Sequence, residues 1–145
     1  MRNIELFNLS VAEILGECYE AFPERINLKE SDIAYKVIEY YDDSVTEDIQ
    51  PFVDQLFNIA SSTIQWLEQA GYIWVGGRNY NDFYQVTLSS KGLELLNLVP
   101  ESLNTKESIG SAFINGAKVL GKESILSCIR ILLSEGTKLA LKQTI

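Results

Sequence analysis

Histidine is absent from the 145 residues, which removes the commonest general base and the commonest nitrogen ligand for a transition metal. Cysteine is nearly so: Cys18 and Cys128 lie far apart and belong to no CxxC pattern, so no familiar zinc site is available. Both read as small buried hydrophobes. The chain also lacks a GxSxG, an SxxK, a glycine-rich phosphate loop and a paired-carboxylate signature, the motifs that would announce serine, lysine or phosphoryl chemistry. The expectation is a protein that is not an enzyme, with no catalytic residue, no metal and no cofactor.

Long apolar runs are missing as well. The most apolar stretch, 125–133, spans nine residues and contains Arg130, against about 20 residues needed to cross a bilayer. Residues 1–10 carry Arg2 as their one basic side chain and have no apolar run of signal-peptide length. A cytoplasmic protein that avoids membranes is expected.

Positive charge is scarce where it matters most. Residues 1–60 hold four basic side chains against thirteen carboxylates, 61–104 hold two against four, and 105–145 hold six against three, within a net charge of −8. A DNA-binding surface draws on Lys and Arg to displace phosphate counterions, and the first two-thirds of this chain supply few. The run 42–48 has four carboxylates and no basic residue. It lacks the alternating ligands and turn glycine of a calcium loop, so it reads as a solvated loop and helix start.

What is present is a folded composition, 46% hydrophobic and 22% charged, in a chain long enough for one domain with an appendage. Ser10 and Glu13 form a capping-box pattern ahead of Val11, Ile14, Leu15, Cys18 and Phe22 at helical spacing, which predicts a first helix from Ser10 to Pro23. After a turn, Ile33, Ala34, Val37, Ile38 and Tyr41 predict a second helix over about 29–41. A third apolar face runs from Phe52 through Leu56 and Ala60 to Ile64 and Leu67, interrupted by Ser61 and Ser62. Serines there suit a cap, so two helices meeting near 58–62 are expected, the second closed by Gly71.

The period then changes. Residues 72–75 and 83–88 read as two short antiparallel strands joined by a glycine-rich polar loop. Ser89 caps a short helix carrying Leu93 and Leu96 that stops before Pro100. A boundary is expected at 100–106. Two amphipathic helices follow, one through Ile109, Phe113 and Leu120 and one through Ile125, Ile129 and Leu133, the latter ending at Gly136 before a frayed tail.

The segments WLEQAGYI (66–73) and VTLSSKGLELL (86–96), with Leu67, Gly71, Leu88, Ser89 and Gly92 at matching positions, resemble MarR-like and PadR-like winged-helix proteins. The likeness is clear over 61–97, topological over 10–60, and does not reach 105–145. It implies a mainly α fold with a small two-stranded wing: a winged helix-turn-helix over 1–104, followed by a helical extension over 105–145 that packs or dimerises. Gly71 and Gly92 are each expected to relieve a strained backbone position.

The resemblance implies a DNA-binding transcriptional regulator. Its reading helix would present Ser61, Ser62, Gln65, Trp66 and Gln69, with glutamines suited to adenine edges and no cation among them. Its wing would offer Arg78 beside Asn79, Tyr80 and Asn81, and Lys91 would add one further phosphate contact. The candidate DNA-binding residues are therefore Ser62, Gln65, Gln69, Arg78 and Lys91. The alternative is an adaptor that keeps the scaffold and binds protein, because winged helices serve both ends. Trp66, Tyr72, Trp74, Tyr80 and Tyr84 are either core or, where exposed together, a protein-binding patch. A homodimer through 105–145 remains open beside intramolecular packing.

Overall fold

The computed structural model describes residues 2–41, 49–101, 106–115 and 120–143. The acidic run 42–48 and the boundary residues 102–105 lie outside them. Among the described residues six helices and three strands follow the order α1 (Arg2–Ala21), β1 (Ile26–Lys29), α2 (Glu30–Ile38), α3 (Ile49–Gln69), β2 (Ile73–Asn79), β3 (Asp82–Leu88), α4 (Ser90–Leu96), α5 (Ile109–Asn115) and α6 (Lys122–Gln143).

α1 begins well before Ser10. Leu6 and Leu9 are fully buried and carry the apolar stripe toward the N-terminus, so Ser10 lies inside the helix. Its hydroxyl donates to the Leu6 carbonyl at 2.8 Å, a back-bond to residue i−4 that replaces the expected cap.

The sheet has three strands, not two. β1 was missed because only Leu28 of its four residues is fully buried, too short an alternation to stand out as a strand. The strands lie in the order β1-β3-β2, all antiparallel. β2 runs through Gly76 and Gly77 to Asn79 and leaves Tyr80 and Asn81 as the turn. Gly76 therefore serves pairing and not a loop: a Cβ there would sit 2.6 Å from the Gln85 Cβ. Gln85 holds φ +54° at the register shift between β1 and β3. The Asn27 carboxamide accepts from its N–H at 3.3 Å, and Arg25 donates to its carbonyl at 3.0 Å.

α3 is one continuous helix and not two meeting at 58–62. Its buried side chains Val53, Leu56, Ala60, Ile64 and Leu67 follow one another three or four residues apart, and Ser61 and Ser62 lie off that stripe. An unbroken core face outweighs the weak helix propensity of two serines. The expected ending is found: Gly71 has φ +86°, and the Gly71 and Tyr72 N–H groups donate back to Glu68 and Leu67, a Schellman closure.

Ser89 caps α4 as expected, accepting from the Gly92 N–H at 3.0 Å. Gly92 is glycine for a reason other than strain: a Cβ there would drive into the Tyr72 carbonyl. Gly136 does not end its helix. It lies within α6 against the Tyr72 hydroxyl, where any side chain would collide, so a residue that reads as a terminator is a contact point.

A single cluster of buried side chains runs from Leu6 in α1 through α2, α3, the sheet, α4 and α5 to Leu132 in α6. α5 packs on α1, and α6 packs on α1 and α4, so the apolar stripes of the C-terminal helices are covered within the chain. No helix among the described residues is long and apolar enough to cross a membrane.

Candidate nucleic-acid or protein interface

The outer face of α3 is the surface that the sequence singles out. Opposite the core stripe, Gln55, Asn58, Ser62, Gln65, Trp66 and Gln69 recur at three- and four-residue spacing and form one strip along the helix. None of them is charged. Asp54 and Glu68 lie at its margin.

The sequence-derived site residues separate into three places. Gln65, Gln69 and Arg78 come together in a cleft of about 220 Å³ between α3 and the β2–β3 hairpin, with Glu68, Val75, Gly77 and Phe83 completing its walls. Gln65 turns back along its own helix, its amide 3.4 Å from the Ser61 carbonyl, while Gln69 is exposed. The Arg78 guanidinium lies 5.4 Å from the centroid of the Phe83 ring, and acidic groups share its field. Burial raises the Glu30 carboxyl pKa; Ser61 hydrogen bonding opposes the rise, the neighbouring Asp82 adds to it, and Arg78 lowers it.

Ser62 faces a second, larger groove of about 570 Å³ between the first turns of α1 and the middle of α3. Ile4 and Phe7 form one wall and Ile59 and Trp66 the other. Trp66 meets Phe7 edge-on at 5.2 Å and stacks on Tyr72 at 6.0 Å. Even so, 42% of Trp66 and 65% of Ile4 remain exposed. This groove was not anticipated, because a helix starting at Ser10 leaves Ile4 and Phe7 outside any element. The signal that reveals it is their three-residue spacing, continuous with Val11 and Ile14.

Lys91 is in neither place. Its ammonium donates to the Ala70 carbonyl at the end of α3, 3.0 Å away, and sits 4.5 Å from the centroid of the Tyr72 ring. A cation there satisfies a terminal carbonyl and the negative end of the helix dipole.

The aromatic group divides likewise. Tyr72 is core, Tyr84 is half-buried, and Trp66, Trp74 and Tyr80 are exposed. Elsewhere along α1 the Glu13 carboxylate accepts from the Tyr40 hydroxyl at 2.8 Å, Glu17 pairs with Lys36, and Glu5 accepts from Tyr41 at 2.6 Å and pairs with Lys122 at 3.4 Å. These contacts tie α1 to α2, to the residues just after it, and to α6. Both cysteines are buried, and desolvation pushes the Cys18 thiol up to about 12. Among the described residues no three His, Cys, Asp or Glu side chains gather as metal ligands.

Comparison with known proteins finds no matching family model, no matching curated protein and no matching solved structure.

Proposed function

We propose that this chain is a non-enzymatic, cytoplasmic recognition module of winged-helix type, and that the outer face of α3 binds a protein. The winged-helix part of the reading is supported by the element order α1-β1-α2-α3-β2-β3 and the strand order β1-β3-β2, with β2 and β3 as the wing. Support for a protein ligand comes from one observation: the face of α3 that would enter a DNA groove is an uncharged strip bordered by an open apolar groove. Of the two cations expected beside it, Lys91 is engaged by the end of α3 and Arg78 shares its surroundings with Glu30 and Asp82. Firm salt-dependent DNA binding involves roughly 6 to 10 neutralised phosphates. A net charge of −8 opposes approach to a polyanion.

A second reading, DNA-binding regulation, is favoured by the convergence of Gln65, Gln69 and Arg78 on one cleft. Glutamine amides and a guanidinium are groups that read base edges. Selection of genomic DNA fragments at low salt separates the two. The protein-binding reading expects no enriched fragment. Enrichment lost on Gln65→Ala and weakened across all sequences by Arg78→Ala would establish the DNA reading in its place.

A further inference from the structure

We propose that the outer face of α3 pairs with the same face of a second copy of this chain, the two helices running antiparallel about a two-fold axis at Ser62. The inference rests on the protein-binding reading and names the partner.

The spacing along α3 comes first. Counted from Ser62, Gln55 and Gln69 lie seven residues away on either side, Asn58 and Trp66 four, and Ile59 and Gln65 three. On a helix those steps return to one face. The seven side chains therefore share the side opposite the core stripe, and none of them is buried. The strip is symmetric in position about Ser62 but not in chemistry, so an antiparallel copy centred there brings unlike residues together. Ile59 meets Trp66 of the second copy on the side that opens onto the groove, where Ile4 and Phe7 form the facing wall. Asn58 meets Gln65 of the second copy on the other side, and Gln55 meets Gln69 at each end. Serine at the centre is the smallest of the seven side chains and lets the two backbones approach to the roughly 8–10 Å between packed helix axes.

The polar pairs match as donors and acceptors. The Gln55 amide donates to the Asn3 side chain at 2.6 Å, and the Gln65 amide nitrogen lies 3.4 Å from the Ser61 carbonyl. Their carboxamide oxygens are left to accept from Gln69 and Asn58 of the second copy, which keeps the amides satisfied as they leave water.

Charge then selects the second copy. Two chains of net charge −8 meet without like charges in contact where carboxylates are absent, and every side chain of this strip is neutral. Asp54 and Glu68, the two carboxylates of α3, come level with Ala70 and Leu56 of the second copy and not with each other. The apolar stripes of the C-terminal helices, which are the other candidates for a dimer contact, already belong to the chain's own core. The strip from Gln55 to Gln69 is about 21 Å long. With Ile4 added it buries on the order of 500 Å² per copy, below the roughly 800 Å² of a firm complex and in the class of weak, reversible ones.

The test uses the full chain. Ser62 is exposed and both native cysteines are buried, so a thiol introduced on the strip reports contact there. Ser62→Cys is expected to form an intermolecular disulfide under mild oxidation, because the axis brings the two copies of position 62 within reach of such a bond. Tyr80→Cys, exposed at the wing, sets the rate of chance collision, and Ser62→Cys should exceed it at least about tenfold. Gln55→Cys and Gln69→Cys should cross-link when mixed and not when oxidised singly. Sedimentation of the unsubstituted chain is expected to show a monomer–dimer equilibrium between about 1 and 500 µM. The dimer should tighten as salt rises, since screening lowers the repulsion between two acidic chains. Ser62→Arg sets two cations against each other at the axis and should weaken it at least about tenfold.

A chain that is monomeric throughout, or a Ser62→Cys variant that cross-links no faster than Tyr80→Cys, would overturn the proposal. A dimer indifferent to Ser62→Arg, or one that salt dissolves, would do the same by placing the contact on another surface. The DNA selection reports separately: an enriched fragment strikes the protein-binding reading, whereas a monomeric chain without an enriched fragment strikes the second copy and leaves that reading standing.

Discussion

Lys91 shows how one residue can answer a sequence reading and serve another end. Its position two residues past the Ser89 cap matches a phosphate contact, yet its ammonium closes α3 at the Ala70 carbonyl over the Tyr72 ring. Lys91→Met keeps the apolar stem and removes both contacts. It is expected to lower unfolding stability in urea by about 1 kcal/mol and to leave ligand binding unchanged; loss of binding without loss of stability would return Lys91 to the interface. Glu13 makes a second case. Burial raises its carboxyl pKa, against the opposing hydrogen bond from Tyr40 and the charge of Lys36. A carboxyl raised on folding binds protons more tightly in the native state, so its contribution is most favourable below the unfolded pKa and declines as pH rises toward the folded one. Glu13→Gln is therefore expected to raise the melting temperature at pH 7, with the gain shrinking as pH falls below the ordinary carboxylate range. A gain that grows toward acid pH would contradict the assigned cause.

Among the elements, α3 carries the account, because the strip exists only if the helix is unbroken. Ser62 is exposed, so Ser62→Pro changes little except the backbone. In a continuous helix it should cost about 3 kcal/mol, whereas at the start of a second helix proline would be tolerated. Chemical denaturation decides between them, and near-neutrality would restore two helices. The elements legible in the sequence were those whose signal is local: Gly71 closing α3, Ser89 capping α4 and the alternation of β3. Those missed depend on partners remote in sequence. β1 is a strand by virtue of β3 beside it, the N-terminal part of α1 was obscured by a serine that bonds backward, and Gly136 carries its meaning only when Tyr72 of another element is placed against it. The groove was hidden for the same reason, since its walls come from residues about fifty positions apart.

For the whole molecule, the decisive property is where charge does not fall. Twenty acidic and twelve basic side chains leave one face of α3 neutral, while the pairs Lys36–Glu17 and Lys122–Glu5 lie elsewhere, binding α1 to α2 and α6. The neutral strip was visible in the sequence as glutamines and serines without a cation. Its opening onto an apolar groove was not. The most direct test is to place a photo-crosslinking amino acid at Ser62, on the exposed strip and beside the groove, and to irradiate the protein in cells of its native host. The account predicts adducts that migrate as discrete protein species, resist nuclease, and disappear when Ile4→Asp is introduced. Adducts destroyed by nuclease and insensitive to Ile4→Asp would show that α3 reads nucleic acid and would contradict the central claim.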